Sequence, residues 1–251
     1  MIANFSRGAR YALQGFSLVR ARGVWPYALL PLAINAVLFG AAIAFGVVYF
    51  ADFLDWLLPQ WLDWAVVRAL LWILFAVSVS LVTFVAFTLL ANLVAAPFNS
   101  LLAERVERHL RGQLGDEGTT RGMIAEVGAS FWAEIRKLIY LAAWSIPLLV
   151  LFLVPGVNLL APILWLAFGA WMMALEYADC PLGNHGVVFD RGRTLIAQRR
   201  GTALGFGATV LFMTTIPGLN LVAMPVAVAG ATALYIDELA PLVAIEGRTT
   251  K

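Results

Sequence analysis

Charged residues are scarce in this sequence: Asp, Glu, Lys and Arg make up only 13% of its 251 residues, whereas 62% are hydrophobic. A water-soluble domain of this length could not bury so much apolar surface, so the composition predicts a protein whose solvent is lipid. Cysteine occurs once, at Cys180, which excludes an intrachain disulfide and a metal site built from cysteines. Lysine occurs only at Lys137 and Lys251, and no Gly-x-x-x-x-Gly-Lys-Ser/Thr loop is present, so the sequence shows no Walker-type ATP site.

The scarce charges leave four long segments without any charged residue. Each is longer than the roughly 20 residues that cross a hydrocarbon core, so we predict an all-α integral membrane protein. Four arginines precede the first segment and three aspartates follow it, which by the positive-inside rule places the N-terminus in the cytoplasm. The uncharged segments are residues 23–51, 69–103, 138–175 and 201–236.

The first 22 residues carry apolar side chains at helical spacing with arginines between them. This pattern is typical of an amphipathic helix that lies in the membrane interface with its arginines near lipid headgroups. We therefore predict one membrane domain over residues 1–251 that begins with an interfacial helix over 1–22. Transmembrane helices are predicted over 23–51 and 69–103, and a cytoplasmic helical region over 104–137.

The last two uncharged segments each contain a Pro-Gly pair near the middle. A straight helix of such length would extend over about 50 Å, beyond a hydrocarbon core of about 30 Å. Proline cannot continue the backbone ladder and glycine permits a turn, so we predict helical hairpins over 138–175 and 201–236. Arginines beside the second hairpin favour hairpins that enter and leave from the cytoplasmic side.

An Asn-Leu-x-Ala-Pro motif occurs three times with small variations, as NLVAAP, NLLAP and NLVAMP. One interpretation is that the asparagines cap the turns of broken helices. The other is that the breaks line an aqueous path, where amide donors replace the hydration shell of an anion. The candidate path-lining residues are Asn92, Pro97, Asn99, Asn158, Asn220, Glu104 and Arg108.

Other polar residues of the sequence have local explanations. Arg108 follows Glu104 by four residues, which predicts an ion pair within a solvated helix or, alternatively, a charged vestibule. Asp237 and Glu238 end the last uncharged segment and are candidates to pair with cytoplasmic arginines. His185 lies between two aspartates, but the spacing fits no standard zinc pattern, so we expect a structural histidine.

Three stretches of the sequence resemble the CysZ family of bacterial sulfate transporters. They are NLVAAPFNSLLAERVE, VPGVNLLAPILWLAFGAWMMALEYADCPLGNHGVVF and IPGLNLVAMPVAVAGATALYIDE, in this order along the chain. The resemblance covers nearly the whole chain, from about Gly15 to Glu238. It implies two long transmembrane helices and hemi-penetrating helical hairpins, assembled as a homo-oligomer in the bacterial inner membrane.

The resemblance also implies an anion site at the start of the first span, where family members often carry Gly-Leu-Arg-Arg. Here Gly23 is kept, but Trp25 and Pro26 occupy the two arginine positions. A site can still form, because Pro26 suits the first turn of a helix whose N–H groups and dipole face an anion. Its candidate residues are Arg20, Arg22, Gly23 and Val24. Alternatively, both arginines contact lipid phosphate.

The sequence therefore predicts a transporter or channel that imports sulfate for reductive assimilation to cysteine, with sulfite as a candidate competitor or regulator. The alternative is a membrane-inserted scaffold that shapes the bilayer and transports nothing. An intramembrane enzyme would need a nucleophile and a base at the same depth, and the spans offer no such pair. We accordingly expect no enzymatic activity, no cofactor, no metal and no nucleic-acid partner.

Overall fold

The computed structural model describes residues 2–30, 98–112 and 126–249, together with scattered residues between 33 and 78. The described chain is helical and contains no strand, which confirms the predicted all-α class. The chain divides into two compact units, one formed by residues 1–28 with 99–251 and the other by 29–98. The predicted spans over 23–51 and 69–103 and the motif residues Asn92 and Pro97 lie largely or wholly outside the described residues.

In the second unit the described residues are helical. Most of the large apolar side chains described there are exposed on the surface of the chain, as expected for a helix that faces lipid. They are Leu29, Leu30, Val37, Val48, Tyr49, Leu70, Ile73, Leu74 and Val77.

The first unit begins with helix α1, Ile2–Val19. Its buried face is made by small residues and a few larger ones, namely Gly8, Tyr11, Ala12, Gly15 and Leu18. Ile2 and Leu13 are instead exposed. The helix ends three residues before the predicted boundary, and its buried face packs on protein, so α1 is part of the folded core. Its position in the membrane interface stays a prediction.

Helices α2, Glu126–Leu151, and α3, Ala161–Asn184, follow. The chain between them, residues 152–160, forms turns in which Gly156 has a φ of 83°. That left-handed conformation suits glycine, so the Pro155–Gly156 pair marks this break in the helix as the sequence predicts. Residues 98–111 are also helical, and 99–111 belong to the same unit.

The remaining helices are α4, Phe189–Gln198, α5, Arg200–Thr215, α6, Pro217–Leu234, and α7, Ala240–Thr249. A π-helical turn, Tyr235–Leu239, joins the last two. The break between α5 and α6 consists of Ile216 alone, whose backbone is extended. Pro217 begins α6, where its missing N–H costs nothing, and Gly218 lies inside the helix and does not form the turn.

Helix α1 lies across α5 and α6 with its backbone in direct contact with both. A Cβ atom on Gly8 would lie 1.9 Å from the carbonyl oxygen of Thr202, and one on Gly15 would lie 2.0 Å from that of Val226. Only glycine permits helices to approach so closely. Gly205, near the start of the fourth uncharged segment, packs in the same way on Phe5, so its lack of a side chain permits a contact within the chain.

The charged residues of α3 and α5 lie at one end of the first unit. Gly207 lies against Ala170 and Ala174, and Leu211 lies beside Gly169, so the two helices run antiparallel. The start of α3 and the end of α5, where the chain breaks, therefore lie at the same uncharged end. Among the described residues, two helical stretches, Ala161–Asn184 and Val222–Ile245, are long and apolar enough to cross a membrane by length and composition.

Candidate functional site

The candidate anion segment, residues 20–28, follows α1 through hydrogen-bonded turns. The Ala21 N–H donates to Leu18 O over 3.0 Å, and the Val24 N–H donates to Ala21 O over 3.1 Å. Gly23 has a φ of 83°, a conformation that disfavours any residue with a Cβ atom. Arg20 and Arg22 are exposed, whereas Val24 is buried. The predicted residues thus share one tight turn, but the Val24 N–H is already used within it.

A further arginine lies beside this segment. The guanidinium carbon of Arg105 lies 5.0 Å from the centroid of the Tyr27 ring, a cation–π geometry. Arg105 belongs to the helical residues 98–111, whose Leu102, Ala103 and Val106 are buried. Nothing in the sequence indicates this contact, because it joins residues far apart in the chain.

The asparagines of the two described turns are exposed and are not helix caps. Asn158 lies in the turns before α3, whose N-cap is Leu160, and Asn220 lies in the first turns of α6, whose N-cap is Ile216. Neither N-cap residue makes a side-chain capping hydrogen bond. Hydrophobic residues thus occupy both N-cap positions, and the interpretation that the asparagines cap the turns stays a prediction. Their backbone N–H groups donate to Val154 O and Ile216 O.

The helical residues 98–111 carry a chain of ion pairs. Arg108 donates to Glu104, which confirms the ion pair predicted from their spacing. Arg111 Nε lies 2.8 Å from Glu107 Oε1, and His185 Nε2 lies 2.9 Å from Glu107 Oε2. Asn99, the third candidate of the motif, is half-buried at the start of this stretch.

His185 joins three parts of the unit. Besides its contact with Glu107, its ring stacks on the ring of Tyr235 with centroids 4.8 Å apart. The neighbouring Asn184 donates its side-chain N–H to Ser100 O over 2.8 Å. These contacts give His185 the structural role that the sequence predicted.

A second charged cluster lies where α5 begins and α6 ends. Glu238 Oε1 accepts from Arg7 Nη1 over 2.9 Å, and Glu238 Oε2 lies 3.1 Å from Arg199 Nε. The predicted pairing of Glu238 with arginines is therefore correct. Asp237 instead accepts from the Tyr11 hydroxyl over 3.1 Å.

Two pKa values in this cluster follow from its geometry. Burial, chiefly, and the negative charge of Asp237 raise the pKa of Tyr11 to about 12, so its hydroxyl remains a hydrogen-bond donor at physiological pH. The hydrogen bond that Arg7 donates to Glu238, together with the negative charge of that carboxylate, raises the pKa of Arg7 above its usual value. Both residues on α1 therefore keep their protons and hold the two carboxylates.

A third charged cluster joins the middle of α2 to the C-terminal part of α3. The buried Lys137 Nζ lies 3.0 Å from Glu176 Oε2 and 3.2 Å from Asp179 Oδ2. Beside it, Arg136 Nη1 donates to Asp190 Oδ2 over 2.8 Å. The sequence held one signal for this site, since Glu176 and Asp179 share a helix face three residues apart. It held no signal that their partner is Lys137.

Comparison with known proteins identifies the family. Residues 11–225 match the family described as Sulfate transporter CysZ/Etoposide-induced protein 2.4. The chain belongs to this family. The match to the CysZ/Etoposide-induced protein 2.4 family includes the 20–28 segment, both described breaks and Asn220.

Individual relatives in the CysZ/Etoposide-induced protein 2.4 family are similar over almost their full length. The sulfate transporter CysZ of Pseudomonas fluorescens is 40% identical over 233 residues, which is 92% of this chain and 93% of the relative. The sulfate transporter CysZ of Pectobacterium atrosepticum is 38% identical over 92% of this chain and 84% of the relative. That of Pseudomonas aeruginosa PAO1 is 37% identical over 92% of this chain and 95% of the relative. The resemblance inferred from the three stretches is confirmed.

Proposed function

We propose that this protein is a sulfate transporter of the bacterial inner membrane that imports sulfate for reductive assimilation to cysteine. The observation that carries this proposal is its similarity to proteins named sulfate transporter CysZ, at up to 40% identity over 92% of the chain among the relatives above. These relatives are transporters by name, so the protein is not an enzyme. Sulfate is its proposed substrate, and sulfite is a proposed competitor or regulator.

The proposed membrane arrangement has two helical hairpins that enter from the cytoplasmic side and stop within the bilayer. In support, residues 138–151 of α2 and 161–175 of α3 contain no charged residue and are only about 21 and 22 Å long. A hydrocarbon core is about 30 Å thick, so the tip at residues 152–160 would not reach the opposite surface. Both uncharged stretches end at the same tip, so the shorter one, residues 138–151, determines how deep in the bilayer the tip can lie.

The second proposed hairpin consists of α5 and α6. Arg200 begins α5, and the break at Ile216 follows at about 24 Å, again less than the hydrocarbon thickness. Arg199 precedes α5 and Glu238 follows α6, and their side chains form an ion pair. The end of the hairpin therefore lies beside its beginning, as expected if both are on the same side of the membrane. A break within lipid must be covered by protein or water, which favours a polar path beside the tip.

The proposed path uses amide and backbone donors for the sulfate dianion. Exposed asparagine side chains at both tips, Asn158 and Asn220, can replace part of its hydration shell without the strong attraction of a full charge. Asn99 and the Glu104–Arg108 pair would line the cytoplasmic part of the path. Asn92 and Pro97 repeat the motif and are proposed to take part in it.

The proposed anion site at the start of the first span consists of Arg20, Arg22, Gly23 and Val24. Both arginines are exposed on the surface of the unit, and Gly23 permits the tight turn that presents them. Arg105, held over Tyr27, adds a third positive charge beside the turn. Trp25 and Pro26 would then not be essential for anion attraction. We propose a homo-oligomer as the working assembly.

The test is uptake of radiolabelled sulfate by liposomes that contain the purified protein, with and without excess unlabelled sulfite. Saturable uptake above that of empty liposomes is the expected result, and inhibition by sulfite would identify the competing anion. Uptake equal to that of empty liposomes, from protein shown to be folded and inserted, would overturn the proposal. Deformation of the vesicles under the same conditions would favour a membrane-shaping scaffold.

A further inference from the structure

The starting observation is a buried carboxylate that bridges two arginines from different helices. Glu238 is only 8% exposed, and each of its oxygens faces a different guanidinium, that of Arg7 at 2.9 Å and that of Arg199 at 3.1 Å. Arg7 belongs to α1, whereas Arg199 directly precedes α5. One side chain therefore connects the N-terminal helix to the start of α5 and the end of α6.

The two ion pairs of Glu238, with Arg7 and with Arg199, connect different parts of the unit. The ion pair with Arg199 joins the start of α5 to the end of α6, since Glu238 follows α6 in the π-helical turn. The ion pair with Arg7 holds α1 against these ends of α5 and α6. Substitution of one arginine leaves Glu238 paired with the other. The hold on α1 and the connection between α5 and α6 can therefore be tested separately.

Movement of α1 must be transmitted to the 20–28 segment. The N–H of Ala21 donates to Leu18 O and the N–H of Val24 donates to Ala21 O, so no flexible linker separates the helix from the turn. Leu18 and Val24 are both buried at the two ends of this connection. A tilt or shift of α1 would therefore displace Arg20 and Arg22, which lie between these anchors.

We infer that Glu238 is a positioning residue, which holds α1 through Arg7 and thereby fixes the 20–28 segment in the geometry that contacts sulfate. This inference rests on the proposed function, because that segment is proposed to bind the anion. Glu238 itself does not touch sulfate, since both of its oxygens face arginines and its charge would repel a dianion. Tyr11 assists through its hydrogen bond to Asp237.

The first test compares Arg7→Gln with Arg199→Gln in the full-length protein by amide hydrogen exchange, without sulfate present. Arg7→Gln should raise the exchange of residues 20–28 about tenfold, because α1 is less firmly held. Arg199→Gln should leave these amides unchanged and raise exchange at the start of α5. Arg7→Lys, which keeps a positive charge, should restore part of the protection.

Equal effects of the two glutamine variants on residues 20–28, or no effect of either, would overturn the inference. This outcome is independent of transport, since the exchange is measured without sulfate. Uptake then supplies the second readout. The sulfate concentration for half-maximal uptake should rise severalfold in Arg7→Gln and not in Arg199→Gln, with similar maximal rates.

A rise in exchange without any change in the half-maximal concentration would overturn the link to sulfate. Wild-type protein that takes up no sulfate would overturn the proposed function. In that case the exchange experiment still decides whether Glu238 positions the segment.

Discussion

Gly205 of α5 and Phe5 of α1 meet through their backbones: a Cβ atom on Gly205 would lie 1.9 Å from the carbonyl oxygen of Phe5. The contact belongs to a row of close approaches by which α1 lies on α5 and α6. Hydrophobic periodicity does not detect such a face, because glycine contributes no apolar side chain. The close approach makes α1 a structural element of the unit, whatever its relation to the lipid surface.

Substitution of this glycine should be costly. Gly205→Ala forces the helices apart and should lower the free energy of unfolding by about 1–3 kcal/mol. For a protein of this size that corresponds to a lower melting temperature by roughly 2–10 °C, measured in detergent. Gly183→Ala is the matched control, because a Cβ atom there meets nothing within 4 Å. A melting temperature of Gly205→Ala equal to that of the control would contradict the close approach.

The cluster around Lys137 predicts unequal effects of its partners. The side chain of Lys137 is 7% exposed, whereas those of Glu176 and Asp179 are 49% and 31% exposed. Lys137→Met should therefore be tolerated, since both carboxylates can be hydrated. The double variant Glu176→Gln/Asp179→Asn leaves a buried ammonium without either carboxylate and should cost about 3–5 kcal/mol. Chemical denaturation of both proteins tests this order, and the reverse order would refute it.

Tyr11 predicts a pH dependence of stability. Its pKa is raised to about 12 in the folded chain, against an ordinary value near 10. Unfolded protein therefore loses this proton first, and the stability that the protonated hydroxyl contributes is lost as the pH rises from 10 towards 12. The stability difference between the wild type and Tyr11→Phe should be constant below pH 9 and should shrink above pH 10. Thermal melting across this range measures it, and a difference that stays constant up to pH 12 would contradict the assignment.

The two asparagines at the breaks predict a transport phenotype. Asn158→Leu and Asn220→Leu remove exposed amide donors that cap neither helix, so both variants should fold with little change in melting temperature. If the tips line the sulfate path, each should reduce the maximal uptake rate about tenfold. Asn4→Leu makes the same replacement at an exposed position of α1 and should transport normally. Normal uptake by both tip variants would remove these asparagines from the path.

Local sequence patterns predicted features that depend on neighbouring residues. The spacing of Glu104 and Arg108 indicated their ion pair, because residues four apart share a helix face. Proline positions indicated where helices are interrupted, although Ile216, and not the Pro-Gly pair, forms the second turn. Neither Asn158 nor Asn220 became an N-cap, because a polar residue near a turn does not specify which position begins the helix.

Long-range pairs could not be predicted in the same way. The arginines of α1 were interpreted as lipid contacts from the pattern of one helix, yet Arg7 binds Glu238 at the other end of the chain. The same holds for Lys137 and Arg105. Nothing in the sequence around them indicates that Lys137 pairs with Glu176 or that Arg105 lies over Tyr27. A charged residue on a buried face needs a partner, but its own segment does not indicate which distant residue lies near it.

By itself, the sequence determined the lipid environment, the helical class and the location of the breaks, because length, hydrophobicity and proline act locally on the backbone. It also determined the family, since similar letters recur in the same order over nearly the whole chain. Tertiary structure alone decided that α1 packs by its glycines on α5 and α6, and that Glu238 joins Arg7 to Arg199. These contacts depend on which helix faces meet, and the packing of distant segments sets that relation.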